Sequence, residues 1–441
     1  MKHTRKIFLL PFLLAGFLCK AQSYKFDFGP GNVQKGYIQI LPETKYSPEK
    51  GYGFEASSNL TGKNYKGKDG VKDDYISSEK PFYFSVKVPE GNYNVKVILG
   101  DKKGTSATTI KAECRRLMVE KAETAKGRYT TQEFTVHVRD SFIRTTNSKV
   151  RLKSREFEYL HWDDKLTLEF NGVSPKVCAV EITPAANVTT VFLAGNSTVV
   201  DQSTEPWAAW GQMIPAFFQS KKIAIANYAE SGETLKAFKG ERRLEKIWSM
   251  AKPGDYLFIE FTHNDQKPGG NFLDPFTTYK QTLKEWIAEA RKRNMIPVLV
   301  TSMHRRTFDS TGHIINSLLN YPEAVRQTGN EENVAVIDLN AMSKTMYEAW
   351  GPAKSIKAFV HFAANTFPNQ PNELKDNTHF STYGAYELAK CVVNGVKQNV
   401  PQLAKHLKAG LPQFDPAHPD AFEDWNLPAS SFIGGGKPDG N

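Results

Sequence analysis

Cysteine is scarce in this chain, with four among 441 residues. Cys19 falls inside an N-terminal leader pattern, so Cys114, Cys178 and Cys391 are the thiols of the main body. Three thiols do not make a disulfide framework, although a Cys114–Cys178 bridge stays open in an oxidising compartment. No CxxC, HExxH or comparable ligand spacing occurs. The common metal centres are thereby disfavoured, and neither metal nor cofactor is expected. After the leader no apolar run reaches the roughly 20 residues that a spanning helix needs, so no membrane insertion is expected. The basic residues are scattered and no nucleic-acid motif is present, which argues against DNA or RNA as a partner. Internal repeats are also missing.

What is present is globular composition, with 40% hydrophobic and 24% charged residues. That length exceeds one ordinary core, so two domains are expected. Lys2, Arg5 and Lys6 precede the apolar run Ile7 to Leu18, and Cys19-Lys20-Ala21 offers a small-residue cleavage site. Residues 1–21 therefore read as a signal peptide, with secretion or a periplasmic location as the expectation. Bulky Phe17 and Leu18 before Cys19 argue against a lipid anchor. Loss of the four basic leader residues takes the formal charge from +10 to +6, a mild excess that favours anionic partners.

Residues 22–184 read as β-rich. Phe82, Phe84, Val86 and Val88 alternate with Tyr83, Ser85 and Lys87; the turn Pro89 to Asn92 follows, and then Val95, Val97 and Leu99 alternate with Asn94, Lys96 and Ile98. This is a strand, a short Gly-containing loop and a strand. Lys165 to Phe170, Asn171-Gly172 and Val177 to Ile182 repeat it, and the whole suggests a β-sandwich. From 185 to 409 the pattern changes. Short apolar runs at Thr190–Ala194, Ile223–Asn227, Tyr256–Phe261, Ile296–Thr301 and Val334–Asp338 read as buried parallel strands. Helices are expected near 206–219 and over Phe276–Asn294. Alternating strands and helices imply an α/β, doubly wound parallel sheet, whose sites lie at the carboxyl ends of the strands. Residues 410–441, rich in Pro, Gly and Asp, read as an irregular tail.

Three of these strands run into small polar turns: Gly195-Asn196-Ser197-Thr198, Ala229-Glu230-Ser231-Gly232 and Thr262-His263-Asn264-Asp265. Asp376-Asn377-Thr378-His379 precedes the helical run from Tyr383. Singly, each reads as a cap or a turn. In this order they resemble the four sequence blocks of the SGNH/GDSL hydrolases over about residues 188–400. The resemblance implies a flavodoxin-like sheet and a serine esterase with Ser197 as nucleophile, His379 as base and Asp376 as its orienting partner. It also implies an oxyanion hole made of the Ser197 and Gly232 backbone N–H groups and the Asn264 amide. Two departures stand out. Asn196 replaces the usual aspartate of the first block, and Thr262 replaces the frequent glycine of the third.

Phe192 to Asp201, with His263-Asn264-Asp265, looks like the rhamnogalacturonan acetylesterases of that superfamily. Phe26 to Gly31 and Gly51 to Glu55 are similar to galactose-binding-like modules. These likenesses imply an acetylated acidic polysaccharide or oligosaccharide as substrate, and Asn196, His263, Arg305 and Arg306 as substrate-binding candidates. An arginine after the fourth strand suits a uronate carboxylate. Tyr52 and Trp162 are candidate glycan-binding aromatics, whereas Trp207 and Trp210 read as core. The rival readings are a general esterase or lipase, and a carbohydrate-binding protein with an inactive hydrolase domain.

Overall fold

A computed structural model describes residues 22–55, 59–67, 69–367, 370–431 and 438–439. The leader and Cys19 lie outside these residues.

The N-terminal region folds into two main sheets. One carries Arg128–Val138, Gly91–Asp101, Lys176–Pro184, Tyr24–Phe28 and Ile38–Ile40 in that order, with Asp74–Ser77 and Thr61–Asn64 joined to its side. The other carries Tyr52–Phe54, Phe82–Lys87, Lys165–Val173, Ser106–Ala112 and Arg116–Thr124. Alternate residues of both face one aromatic core, where the Phe28 and Phe84 rings lie 4.9 Å apart. The expected strand–loop–strand units exist, but they are not hairpins. Phe82–Lys87 and Gly91–Asp101 belong to different sheets, as do Lys165–Val173 and Lys176–Pro184. The physical reason is that the apolar face of each partner points into the same shared core, so the connection crosses from one sheet to the other. Asn171 and Gly172 accordingly pair with Thr109 and Thr108 inside a strand and form no turn.

The second region is built on five parallel strands. Ile223–Asn227, Thr189–Gly195, Tyr256–Glu260, Ile296–Val300 and Ala335–Ile337 lie side by side in that order. Both faces are covered, which explains their unbroken apolar sequence. Val191 and Leu193 point into one core with Leu388, Val392 and Val396 of the helix Thr382–Asn399. Phe192 and Ala194 point into the other, with Leu283, Trp286 and Ile287 of the helix Lys280–Lys292. The helix expected near 206–219 is reduced to Trp210–Met213 and the tight turn Ile214–Phe217, because Pro215 lacks the N–H that continuation requires. Trp207 and Trp210 are buried, as core residues. The chain steps from the first strand to one side and then, for the third, to the other. The loops after these strands thus diverge at the carboxyl edge and leave a crevice there.

The two regions are tightly joined. Leu117, from the N-terminal region, packs in the core of the second. Arg116 Nε donates to Asp201 at 2.7 Å, and Arg115 Nη1 donates to the carbonyls of Gln202 and Trp207 at 3.0 and 2.9 Å. Buried ion pairs of this kind demand full pairing, since removal of one partner leaves an uncompensated charge. Trp162 does not stand out as a glycan platform: it is part-buried with Arg139 stacked on its ring at 4.3 Å, and its Nε1 donates to Glu156. Tyr52 is likewise part-buried, against Phe26. Cys114, Cys178 and Cys391 are separate buried free thiols, so the Cys114–Cys178 bridge is absent. The tail crosses back to the N-terminal region, where Ser430 is buried and donates to Glu169 at 2.7 Å.

Candidate active site

The nucleophile turn follows the first parallel strand. Asn196 is fully buried, and its Oδ1 accepts from the Thr198 N–H at 3.1 Å and the Thr198 hydroxyl at 2.8 Å. Its side chain, one of the substrate-binding candidates, is buried and shapes the turn. Gln202 Nε2 fixes the Ser197 carbonyl at 2.8 Å. Because the Gln202 carbonyl in turn accepts from Arg115, the N-terminal region helps to hold this turn.

Ser197 Oγ donates to His379 Nε2 at 2.8 Å, and His379 Nδ1 donates to Asp376 Oδ2 at 2.7 Å. Asp376 is not on an isolated turn. It lies in the strand Leu374–Phe380, which pairs antiparallel with Phe359–Phe362. The local backbone bends so that Asp376 Oδ1 accepts from the Thr378 and His379 N–H groups at 2.9 and 3.0 Å. Burial pushes the carboxyl pKa up, but the His379 bond and these two amides outweigh it and hold it at about 2. A carboxylate only accepts, so His379 keeps its Nδ1 proton and offers Nε2 as the base.

Blocks two and three are laced together. The Asn264 amide donates to the Glu233 carbonyl at 3.0 Å, and Asp265 Oδ1 accepts from the Leu235 N–H at 2.8 Å. Gly232 has φ +82°, a left-handed conformation that suits glycine. Among the described residues, the Ser197 and Gly232 N–H groups have no acceptor, and one Asn264 amide hydrogen also remains unengaged. These are the three donors that the sequence blocks imply.

The remaining candidates are brought near but turned to other tasks. His263 is buried, with Nε2 at 3.1 Å from the Met303 carbonyl. Burial, reinforced by Arg305 and His379, drives its pKa well below the usual imidazole value. It is thus a neutral ring packed against the Met303 carbonyl. Arg305 donates to the carbonyls of His263 at 3.2 Å and Ser317 at 3.3 Å. Arg306 donates its backbone N–H to the Asn377 carbonyl at 2.8 Å, and its guanidinium to Asn377 Oδ1, Ser355 Oγ and the Pro352 carbonyl. Neither of these uronate-binding candidates pairs with a carboxylate among the described residues, and both brace loops.

Sequence reasoning missed Glu260, buried beneath the nucleophile turn. It accepts from Ser302 Oγ at 2.5 Å and Trp210 Nε1 at 3.1 Å. Burial raises its pKa against these bonds. Its position at the end of an apolar strand was the available signal. Lys153 and Arg155, which reach the second block from the N-terminal region, carried no sequence signal because they act across domains. Among the described residues, no group of three or more His, Cys, Asp or Glu is placed to hold a metal ion.

The profile of GDSL-like lipases/acylhydrolases matches residues 166–392, and that of the beta-agarase/YXIM esterase-like, galactose-binding-like domains matches residues 24–147. Rhamnogalacturonan acetylesterase RhgT of Bacillus subtilis is 43% identical over 49% of this chain and 93% of its own length. The uncharacterized esterase YxiM of the same organism is 26% identical over 85% of this chain and 91% of its own. The crystal structure of YxiM aligns with a TM-score of 0.44 at 25% identity, covering 86% of this chain and 98% of that one. The chain belongs to the GDSL-like lipase/acylhydrolase family: it is a serine esterase of the SGNH type carrying an N-terminal galactose-binding-like domain.

Proposed function

We propose that this esterase removes acetyl groups from pectic polysaccharide of the rhamnogalacturonan type, through an acyl-enzyme on Ser197. The observation that carries the chemistry is the closed relay Ser197–His379–Asp376 beside three unengaged donors. Ser197 attacks the acetyl carbonyl while His379 Nε2 takes its proton. The oxyanion is received by the N–H groups of Ser197 and Gly232 and the spare Asn264 hydrogen. His379 then protonates the leaving sugar oxygen, and a water activated by the same nitrogen releases acetate. Asp376 stays ionised throughout and stabilises the imidazolium.

The substrate class is supported by the relatives named rhamnogalacturonan acetylesterases. We read the two N-terminal sheets as a β-sandwich, supported by their common core, and the parallel strand order as flavodoxin-like. The basic and apolar leader supports secretion or a periplasmic location. The test is acetate release from acetylated rhamnogalacturonan, acetylated xylan and long-chain aryl esters. Preference for the pectic substrate is expected, whereas preference for long acyl chains would favour a lipase.

A further inference from the structure

Two cations of the N-terminal region meet at the second block. Lys153 Nζ donates to the Ser231 carbonyl at 2.6 Å, and Arg155 Nη2 donates to the same carbonyl at 3.0 Å. Ser231 immediately precedes Gly232. A Cβ placed on Gly232 would lie 3.4 Å from Lys153 Nζ and 3.1 Å from the Cβ of Asp439 in the C-terminal tail. The open side of this glycine thus faces a lysine and a carboxylate-bearing residue.

The charges around it divide into an inner and an outer set. Glu156, Glu230, Glu233 and Arg243 are almost wholly buried. Lys153 pairs with Glu233, Arg155 with Glu230 and Arg243 with Glu156, which balances the inner carboxylates one for one. The side chains of Lys153 and Arg155 stay 23% and 32% exposed. Arg155 Nη1 bonds to Asp439, a carboxylate beyond this balance whose side chain is 62% exposed. Among the described residues Lys153 Nζ makes one hydrogen bond, to the Ser231 carbonyl, and its contact with Glu233 is an ion pair.

We infer that Lys153 and Arg155 form a carboxylate subsite beside the oxyanion hole, where they read a uronate next to the acetylated sugar, and that Asp439 competes for the same guanidinium. This rests on the esterase reading above, which puts the acetyl carbonyl at Gly232. It moves acid recognition from Arg305 and Arg306, which brace backbone carbonyls, to the N-terminal region. Arg155 offers Nη1 as an outward donor to a carboxylate, and substrate binding exchanges one carboxylate for another at little cost in desolvation.

The experiment compares kcat/KM on an acetylated galacturonate–rhamnose oligosaccharide and on a neutral acetylated xylo-oligosaccharide. In Arg155→Gln the acidic-to-neutral ratio should fall by roughly tenfold or more, mainly through KM, since a charge-assisted contact is lost. Lys153→Gln should lower the ratio as well, and Asp439→Asn should reduce the KM for the acidic substrate. Added salt should weaken the acidic reaction more in the wild type than in Arg155→Gln. Equal losses on both substrates, or an unchanged ratio, would overturn the subsite and leave the two cations as braces of the Glu230–Gly232 turn. If Arg155→Gln fails to fold, Lys153→Gln and Asp439→Asn carry the same comparison. Calorimetric binding of the deacetylated galacturonate–rhamnose oligosaccharide needs no turnover. Binding that is weaker in Arg155→Gln and Lys153→Gln, and tighter in Asp439→Asn, supports the subsite even if the wild type released no acetate, a result that would remove the esterase reading alone.

Discussion

Asn264 gives one amide hydrogen to the carbonyl of Glu233, at 3.0 Å, and keeps the other unengaged. The bond fixes the direction of the second hydrogen before substrate arrives, which is what an oxyanion donor requires. Asn264→Ala should therefore lower kcat by roughly 10²–10³, with a smaller change in KM, because the contact strengthens in the transition state. Steady-state kinetics on an aryl acetate separate the two terms. A change confined to KM would make Asn264 a ground-state binding residue.

Asn196→Asp restores the residue usual in the first block, and its acceptor can still cap Thr198. Activity should stay within about tenfold of wild type, a barrier change under ~1.4 kcal/mol. The structure adds a cost. The new carboxyl is fully buried, and Thr198 Oγ, which it caps, also lies 3.3 Å from Glu260. Burial and a like charge both raise a carboxyl pKa. The folded protein then holds a proton that the unfolded chain gives up, so stability is present at low pH and lost as pH rises. Thermal unfolding of Asn196→Asp should show a deficit that grows from pH 5 to pH 8. A deficit constant across that range would mean that the site solvates the charge.

Arg306 ties the Asn377 backbone and side chain to Pro352 and Ser355, one residue from Asp376. Arg306→Ala should lower kcat on charged and neutral esters alike, by roughly tenfold, because a small displacement of the base is costly. A loss restricted to acidic substrates would instead identify Arg306 as a substrate contact.

Asp376 has a folded-state pKa of about 2, below its ordinary 3.8. The sign is that of a depressed carboxyl: its contribution, roughly 2 kcal/mol, is complete above about pH 4 and disappears as pH falls toward 2. Wild type should be more stable than Asp376→Asn at pH 6, and the difference should shrink between pH 4 and pH 2 in denaturant titrations. A difference independent of pH would mean that the carboxylate is not stabilised by His379 and its amides.

Much of this was legible in the sequence, for local reasons. Thr189–Gly195 and its parallel neighbours are short apolar runs that end in polar turns, and that pattern alone locates strands, switch-point crevice and blocks. Asp376 and His379 are three residues apart, so their contact needs little more than a local bend. What the sequence hid is set by long-range pairing. The Phe82–Lys87 and Gly91–Asp101 strands alternate as hairpin strands do, yet they face each other across a core, and alternation cannot tell the two apart. Arg305 and Arg306 were legible as guanidinium groups at a strand end, but not as braces, because the carbonyls they hold belong to other loops. Lys153 and Arg155 lie some 80 residues from the block they touch, on the far side of the boundary between the two regions.

The most direct test of the Ser197 relay is acetate release from acetylated rhamnogalacturonan oligosaccharide by wild type and Ser197→Ala, alongside their thermal unfolding. The variant should unfold cooperatively near the wild-type temperature, since the buried strand and turn are kept, and its turnover should fall by roughly 10⁴-fold or more, as when one member of an acting unit is removed. Acetate release by folded Ser197→Ala at close to the wild-type rate would contradict the acyl-enzyme assignment.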